Sequence, residues 1–137
     1  MGSVTFNWVS ALSECSLTKV FEQLVLDIEE DVRTRNAALP AGTCYAFAVL
    51  RRNGLVSVFM DAKNCLIQPG PAAVKFSLAE RAISVTDSAN KEIVTATVTF
   101  NKDRQCRFKV GAEEWEPWRF RMVALQDLFF ATRGPLS

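Results

Sequence analysis

Residues 16–39, SLTKVFEQLVLDIEEDVRTRNAAL, hold the longest helical period in the chain. At 100° per residue, Leu17, Val20, Phe21, Leu24, Val25, Ile28 and Val32 fall on one broad stripe. Lys19, Glu22, Gln23, Glu29, Glu30, Arg33 and Thr34 cover the opposite side. Ser16 stands where a hydroxyl can accept an orphan N–H of the first turn. Pro40 and Gly42 end the run, because proline disfavours helix at the residue before it. Glu29 with Arg33 and Asp31 with Arg35 are charge pairs at helical spacing, each worth roughly 0.2–0.5 kcal/mol. The apolar stripe must lie on something, and the remaining sequence offers strands.

Thr43 to Arg52 reads as the first strand, followed by Asn53-Gly54, a strong hairpin signal because a type I′ turn needs positive φ at both central residues. A two-residue loop sets the register: Arg52 faces Leu55, Leu50 faces Ser57, Val49 faces Val58 and Phe47 faces Met60. One hairpin face then carries Tyr45, Phe47, Val49, Val56, Val58 and Met60, and the other is rich in alanine. The alanine face suits close approach of the helix, which leaves the bulky face to be covered by a second layer or a second subunit. These six residues are therefore the expected interface of a homodimer.

Cys65 to Ile67 are expected to prolong the second strand until Pro69-Gly70-Pro71 breaks it. Val74, Phe76 and Leu78 alternate with Lys75 and Ser77, and Ile83 and Val85 form a short strand. Asp87 to Asn90 and Asn101 to Arg104 have turn chemistry on either side of the β-branched run Ile93 to Phe100. There Val94, Ala96, Val98 and Phe100 share a face opposite Ile93. Cys106, Phe108 and Val110 alternate with Arg107 and Lys109, so that strand shows one face to water. Trp118, Phe120 and Met122 alternate with Arg119 and Arg121 and predict a last strand. Ala124 to Ala131 predicts a short terminal helix ending at Gly134-Pro135. Ahead of the long helix, Phe6 to Cys15 reads as a helical turn capped by Asn7, with Trp8, Ala11, Leu12 and Cys15 on one side folded over the helix end.

The expected architecture is a single α+β domain over 1–137: one long helix on a curved antiparallel sheet of five or six strands, with a short C-terminal helix. Its element order is similar to that of a cystatin-like or nuclear-transport-factor-like roll, and likeness of fold does not carry function.

Composition narrows function by exclusion. The 137 residues are 49% hydrophobic and 23% charged with a net charge of +1, ordinary for a folded domain and without the basic excess of a nucleic-acid binder. No apolar run reaches membrane-spanning length, and Met1 to Ser10 lacks the pattern of a secretory signal, which gives a cytoplasmic expectation. The chain contains no histidine, which removes Ser-His-Asp and Cys-His catalysis and histidine-ligated metals. Cys15, Cys44, Cys65 and Cys106 are widely spaced and mostly adjoin apolar strands, so they are expected as reduced core thiols, with no metal site and no cofactor.

Three constellations remain. Asp27 and Asp31, four apart on the helix edge, could act as acid and base or bind a divalent cation, and Asp61 is predicted on the helix-facing side of its strand, where burial would make it a base. Trp115 and Trp118 with Arg119 could form a stacking platform for a ligand. Glu29, Glu30, Glu113, Glu114 and Glu116 form an acidic edge, the handle of an inhibitor of a partner enzyme. The leading expectation is a non-catalytic binding or interaction protein acting as a homodimer. The alternative is a small histidine-free enzyme or ligand carrier, with a cavity between helix and sheet and Asp31 or Asp61 as base.

Overall fold

In the computed structural model, which describes residues 5–68, 70 and 72–131, Ser16 starts the long helix as its sequence dictates. The Ser16 hydroxyl accepts the Lys19 N–H at 3.2 Å, and helix α2 runs Leu17–Ala37. Before it lies α1 (Trp8–Glu14), capped by the Asn7 side chain on the Ser10 N–H at 3.0 Å. Seven strands follow: β1 Ala46–Arg52, β2 Leu55–Asp61, β3 Ala73–Leu78, β4 Ile83–Asp87, β5 Glu92–Phe100, β6 Cys106–Val110 and β7 Glu113–Trp115. Helix α3 (Pro117–Phe130) closes the described chain. The strands form one antiparallel meander in sequence order, two more than the lower expectation. The breaks expected at Pro69, Pro71 and Gly134-Pro135 lie outside the described residues.

The hairpin register is the expected one, with Arg52 opposite Leu55, Val49 opposite Val58 and Phe47 opposite Met60. The turn itself differs. Gly54 has φ 70°, while Asn53 is absent from the residues of positive φ, so the turn is not type I′. Positive φ at the second central residue alone excludes both primed types, each of which needs it at the first. The two later hairpins use a shared device. The Asp87 carboxylate accepts the Ala89 and Lys91 N–H groups, and the Asn101 side-chain oxygen accepts those of Asp103 and Gln105. In each, the residue three further on, Asn90 or Arg104, takes positive φ.

The faces of the sheet are the reverse of the sequence expectation. The cross-strand row Val56–Phe76–Val85–Val94 points to the helices, and the neighbouring row Leu55–Ser77–Ser84–Thr95 points away. Phe47, Val56 and Val58 are buried in the core, with Tyr45, Val49 and Met60 packed against it. Large side chains, not alanines, fill the space between helix and sheet, where two helices share that face. Phe108 stacks on Phe120 of α3 with ring centroids 4.4 Å apart, and Phe76 meets Phe120 at 6.3 Å. Between Val85 and Thr86 the β4–β5 register shifts, and beyond that bulge Ile93 packs against the core, although alternation alone places it on the other side.

The segment expected as a last strand is the first half of α3. Pro117 occupies the opening turn, where its fixed φ suits a helix and its missing N–H costs nothing. Trp-Arg-Phe-Arg-Met alternates at period two over five residues, but Phe120, Ala124 and Leu128 continue at steps of four, and all three are buried. Leu66 and Ile67 do not prolong β2; they are exposed on the loop after it.

The cysteines are paired, contrary to the reduced-thiol expectation. Cys15 at the end of α1 bridges Cys106 on β6, and Cys44 before β1 bridges Cys65 after β2, with no free cysteine among the described residues. The second bridge closes the open end of the β1–β2 hairpin. The first pins a helix that buries none of its own residues; of the expected inward side, Trp8 and Leu12 lie in solvent.

Candidate functional site between the two helices

Helices α2 and α3 lie side by side on the sheet, and their facing side chains build a polar cluster. Arg121 projects from α3 towards α2, where its Nε donates to Asp31 at 2.7 Å and its Nη1 lies 3.5 Å from Asp27. The paired carboxylates are thus the two arms of a guanidinium clamp. The helix pairs expected within α2 are replaced: Asp31 goes to Arg121, Glu29 to Arg51 at 3.4 Å, and Arg33 to Glu30. Contacts across elements outcompete i,i+4 pairs because Arg121 is sheltered from water, with only 17% of its side chain accessible.

Arg35, one helical turn further along α2, has a different role. Its Nε donates to the Phe129 carbonyl at 2.9 Å and its guanidinium sits 4.5 Å above the Phe130 ring. No ion pair links it to a carboxylate among the described residues. Between Arg121 and Arg35 the helices enclose a groove of about 330 Å³ whose floor is Leu125 and Phe129 and whose rim is Trp118, Met122 and Phe130. The rim residues are 53%, 44% and 67% exposed. Helix α3 therefore carries an apolar row on its outer side, beside the exposed Arg119, Gln126 and Asp127, whereas the outer side of α2 is mainly charged. Reading 118–122 as a strand conceals this ridge; the spacing of Trp118, Met122 and Phe130 in multiples of four is the signal that reveals it.

The remaining sequence candidates are dispersed. Asp61 ends β2 on the sheet face away from the helices, where its carboxylate accepts the Lys63 N–H at 3.2 Å and pairs with the Lys63 ammonium at 3.8 Å. It serves a turn. Trp115 is buried on β7 with its Nε1 donating to Glu113 at 2.8 Å, and Arg119 lies 4.4 Å above its ring. Trp118 turns to the groove and donates to Glu116 at 2.6 Å. The platform is thus split: Trp115 and Arg119 stack, and Trp118 stands apart. The acidic edge is likewise divided between α2 and the β7 region, where Glu113 meets Arg119, Glu116 meets Arg107, and Glu114 accepts from Asn101.

A second cleft, of about 400 Å³, opens on the flank where α2 passes β6 and the start of α3, with Lys19, Gln23, Asp27 and Phe108 in its lining. No buried polar or charged side chain interrupts the described core. Among the described residues no group of three histidine, cysteine, aspartate or glutamate side chains is placed to hold a metal ion, and no helix is long and apolar enough to cross a membrane. Comparison with known proteins finds no matching family model, characterised sequence or solved structure.

Proposed function

We propose that this chain is a non-catalytic interaction protein whose contact surface is the α2–α3 groove. The observation that carries this reading is the solvent side of α3: Trp118, Met122 and Phe130 stand in water on a helix whose other side is already in the core. Together they leave on the order of 400 Å² of exposed residue surface along one row, comparable to the largest apolar patch of a typical monomer, which is often functional. The continuous apolar cluster between helices and sheet supports surface contact over a ligand enclosed between the layers. Two disulfides support work in an oxidising compartment in place of the cytoplasm, because cytosolic thiols are held reduced.

The test replaces the ridge as a unit, Trp118→Ser with Met122→Gln and Phe130→Ser, and follows urea unfolding together with binding of a hydrophobic dye to dilute protein. The variant should keep its unfolding free energy within about 1 kcal/mol, since exposed side chains contribute little to a core, and should lose dye binding. A loss of several kcal/mol would make the ridge part of the fold, and unchanged dye binding would place the contact surface elsewhere.

A further inference from the structure

We infer that the occupant of this groove is a second copy of the chain, with the two α3 helices packed antiparallel about a two-fold axis near residue 124. This rests on the groove being a contact surface and names its partner. Trp118, Met122, Gln126 and Phe130 succeed one another at steps of four, so they form a single row along one side of the helix that can lie along the same row of a neighbouring helix. Under a two-fold operation Trp118 meets the partner's Phe130, Met122 meets the partner's Gln126, and the same contacts recur in reverse, as an isologous interface requires. A parallel pairing would instead set Trp118 against itself and Phe130 against itself.

Charge selects the same arrangement. At the Phe130 end stands Arg35, without a carboxylate partner among the described residues. At the Trp118 end stands Glu116, whose side chain is 57% accessible; one carboxylate oxygen accepts from Trp118 Nε1 at 2.6 Å, and the other lies 3.8 Å from Arg107. Antiparallel packing brings each Arg35 to the level of the partner's Glu116, twice per dimer. Parallel packing would put the two Arg35 side chains together. The two ridges alone would remove on the order of 800 Å² from water, the small-interface range of transient pairs, which fits a weak and reversible dimer.

The experiment is sedimentation equilibrium on the oxidised chain and three variants. Wild type should dimerise with a dissociation constant in the micromolar range, and Phe130→Asp should weaken it at least ~30-fold by placing a carboxylate against the partner's Trp118. Arg35→Glu and Glu116→Arg should each weaken self-association about tenfold, because each homodimer then faces like charges. Mixing the two should restore a heterodimer to within about threefold of wild type, since each opposed pair regains opposite signs. That rescue depends on register and would not follow from damage to either monomer. A monomeric wild type at several hundred micromolar overturns the second copy, while the dye-binding ridge would leave the contact surface itself standing. A dimer indifferent to Phe130→Asp overturns both. A dimer that responds to Phe130→Asp but shows no rescue on mixing overturns the antiparallel arrangement.

Discussion

Removing the Cys15–Cys106 bridge, by Cys15→Ser with Cys106→Ser, should cost more stability than removing Cys44–Cys65, although the longer bridge secures a helix with no buried residue. The reason lies in the unfolded chain. Cross-linking across 91 residues removes loop-closure entropy equivalent to about 4.5 kcal/mol, against about 3.3 kcal/mol for a separation of 21. The short loop lies within the long one, so the two effects overlap and the measured values fall below these limits. A loss of about 3 kcal/mol for the longer bridge would lower the melting temperature by about 10 °C in a domain of this size. The folded state itself gives up little, since α1 is also held by the stacking of Phe6 on Phe100 at 6.3 Å and of Arg104 on Phe6 at 4.8 Å. A freed seven-residue helix would not persist alone. Urea unfolding followed by tryptophan fluorescence gives both the midpoint and the slope, and the slope should steepen as the uncross-linked chain exposes more surface. Thiol titration of the untreated wild type in denaturant should find none, and four after reduction. Four reactive thiols without reductant would refute the pairing, and a larger loss from the short bridge would refute the entropic account.

Three further outcomes follow from local geometry. Gly54→Val should destabilise by roughly 1 kcal/mol or more, because φ 70° is a true outlier for a β-branched residue, and calorimetry would expose an unchanged melting curve if the turn is otherwise. Asn36→Ala should cost about 1–2 kcal/mol by equilibrium unfolding. The Asn36 side chain accepts the Phe47 N–H at 2.8 Å and donates to the Phe47 carbonyl at 2.9 Å, which blocks the free edge of β1, so the variant should also aggregate faster by light scattering. Arg121→Met should cost about 1 kcal/mol at neutral pH, because Asp27 and Asp31 then face each other without a cation, and the loss should shrink in ~1 M salt; an equal loss at all salt concentrations would mean that packing, not charge, matters there.

Much of the backbone was legible because each signal was local. The stripe from Leu17 to Val32, the Ser16 cap, the two-residue loop at Asn53-Gly54 and the alternation around Phe108 each act within a few residues, and each set its element and register. Three decisions needed the third dimension. Alternation says that Phe47 and Val58 share a face but not which face the helices take, and a second helix made that the bulky one. Cysteine separations of 91 and 21 say nothing of proximity until antiparallel return brings the Cα atoms to 5.5 and 5.1 Å. Residues 118–122 fit a period of two as well as one of four over so short a span, and only the continued burial of Phe120, Ala124 and Leu128 against the sheet resolves it. Local chemistry therefore determined where α2 begins and ends and where the β1–β2 hairpin turns. Burial, which depends on what lies opposite, decided which sides face in, and so where the exposed ridge of α3 lies.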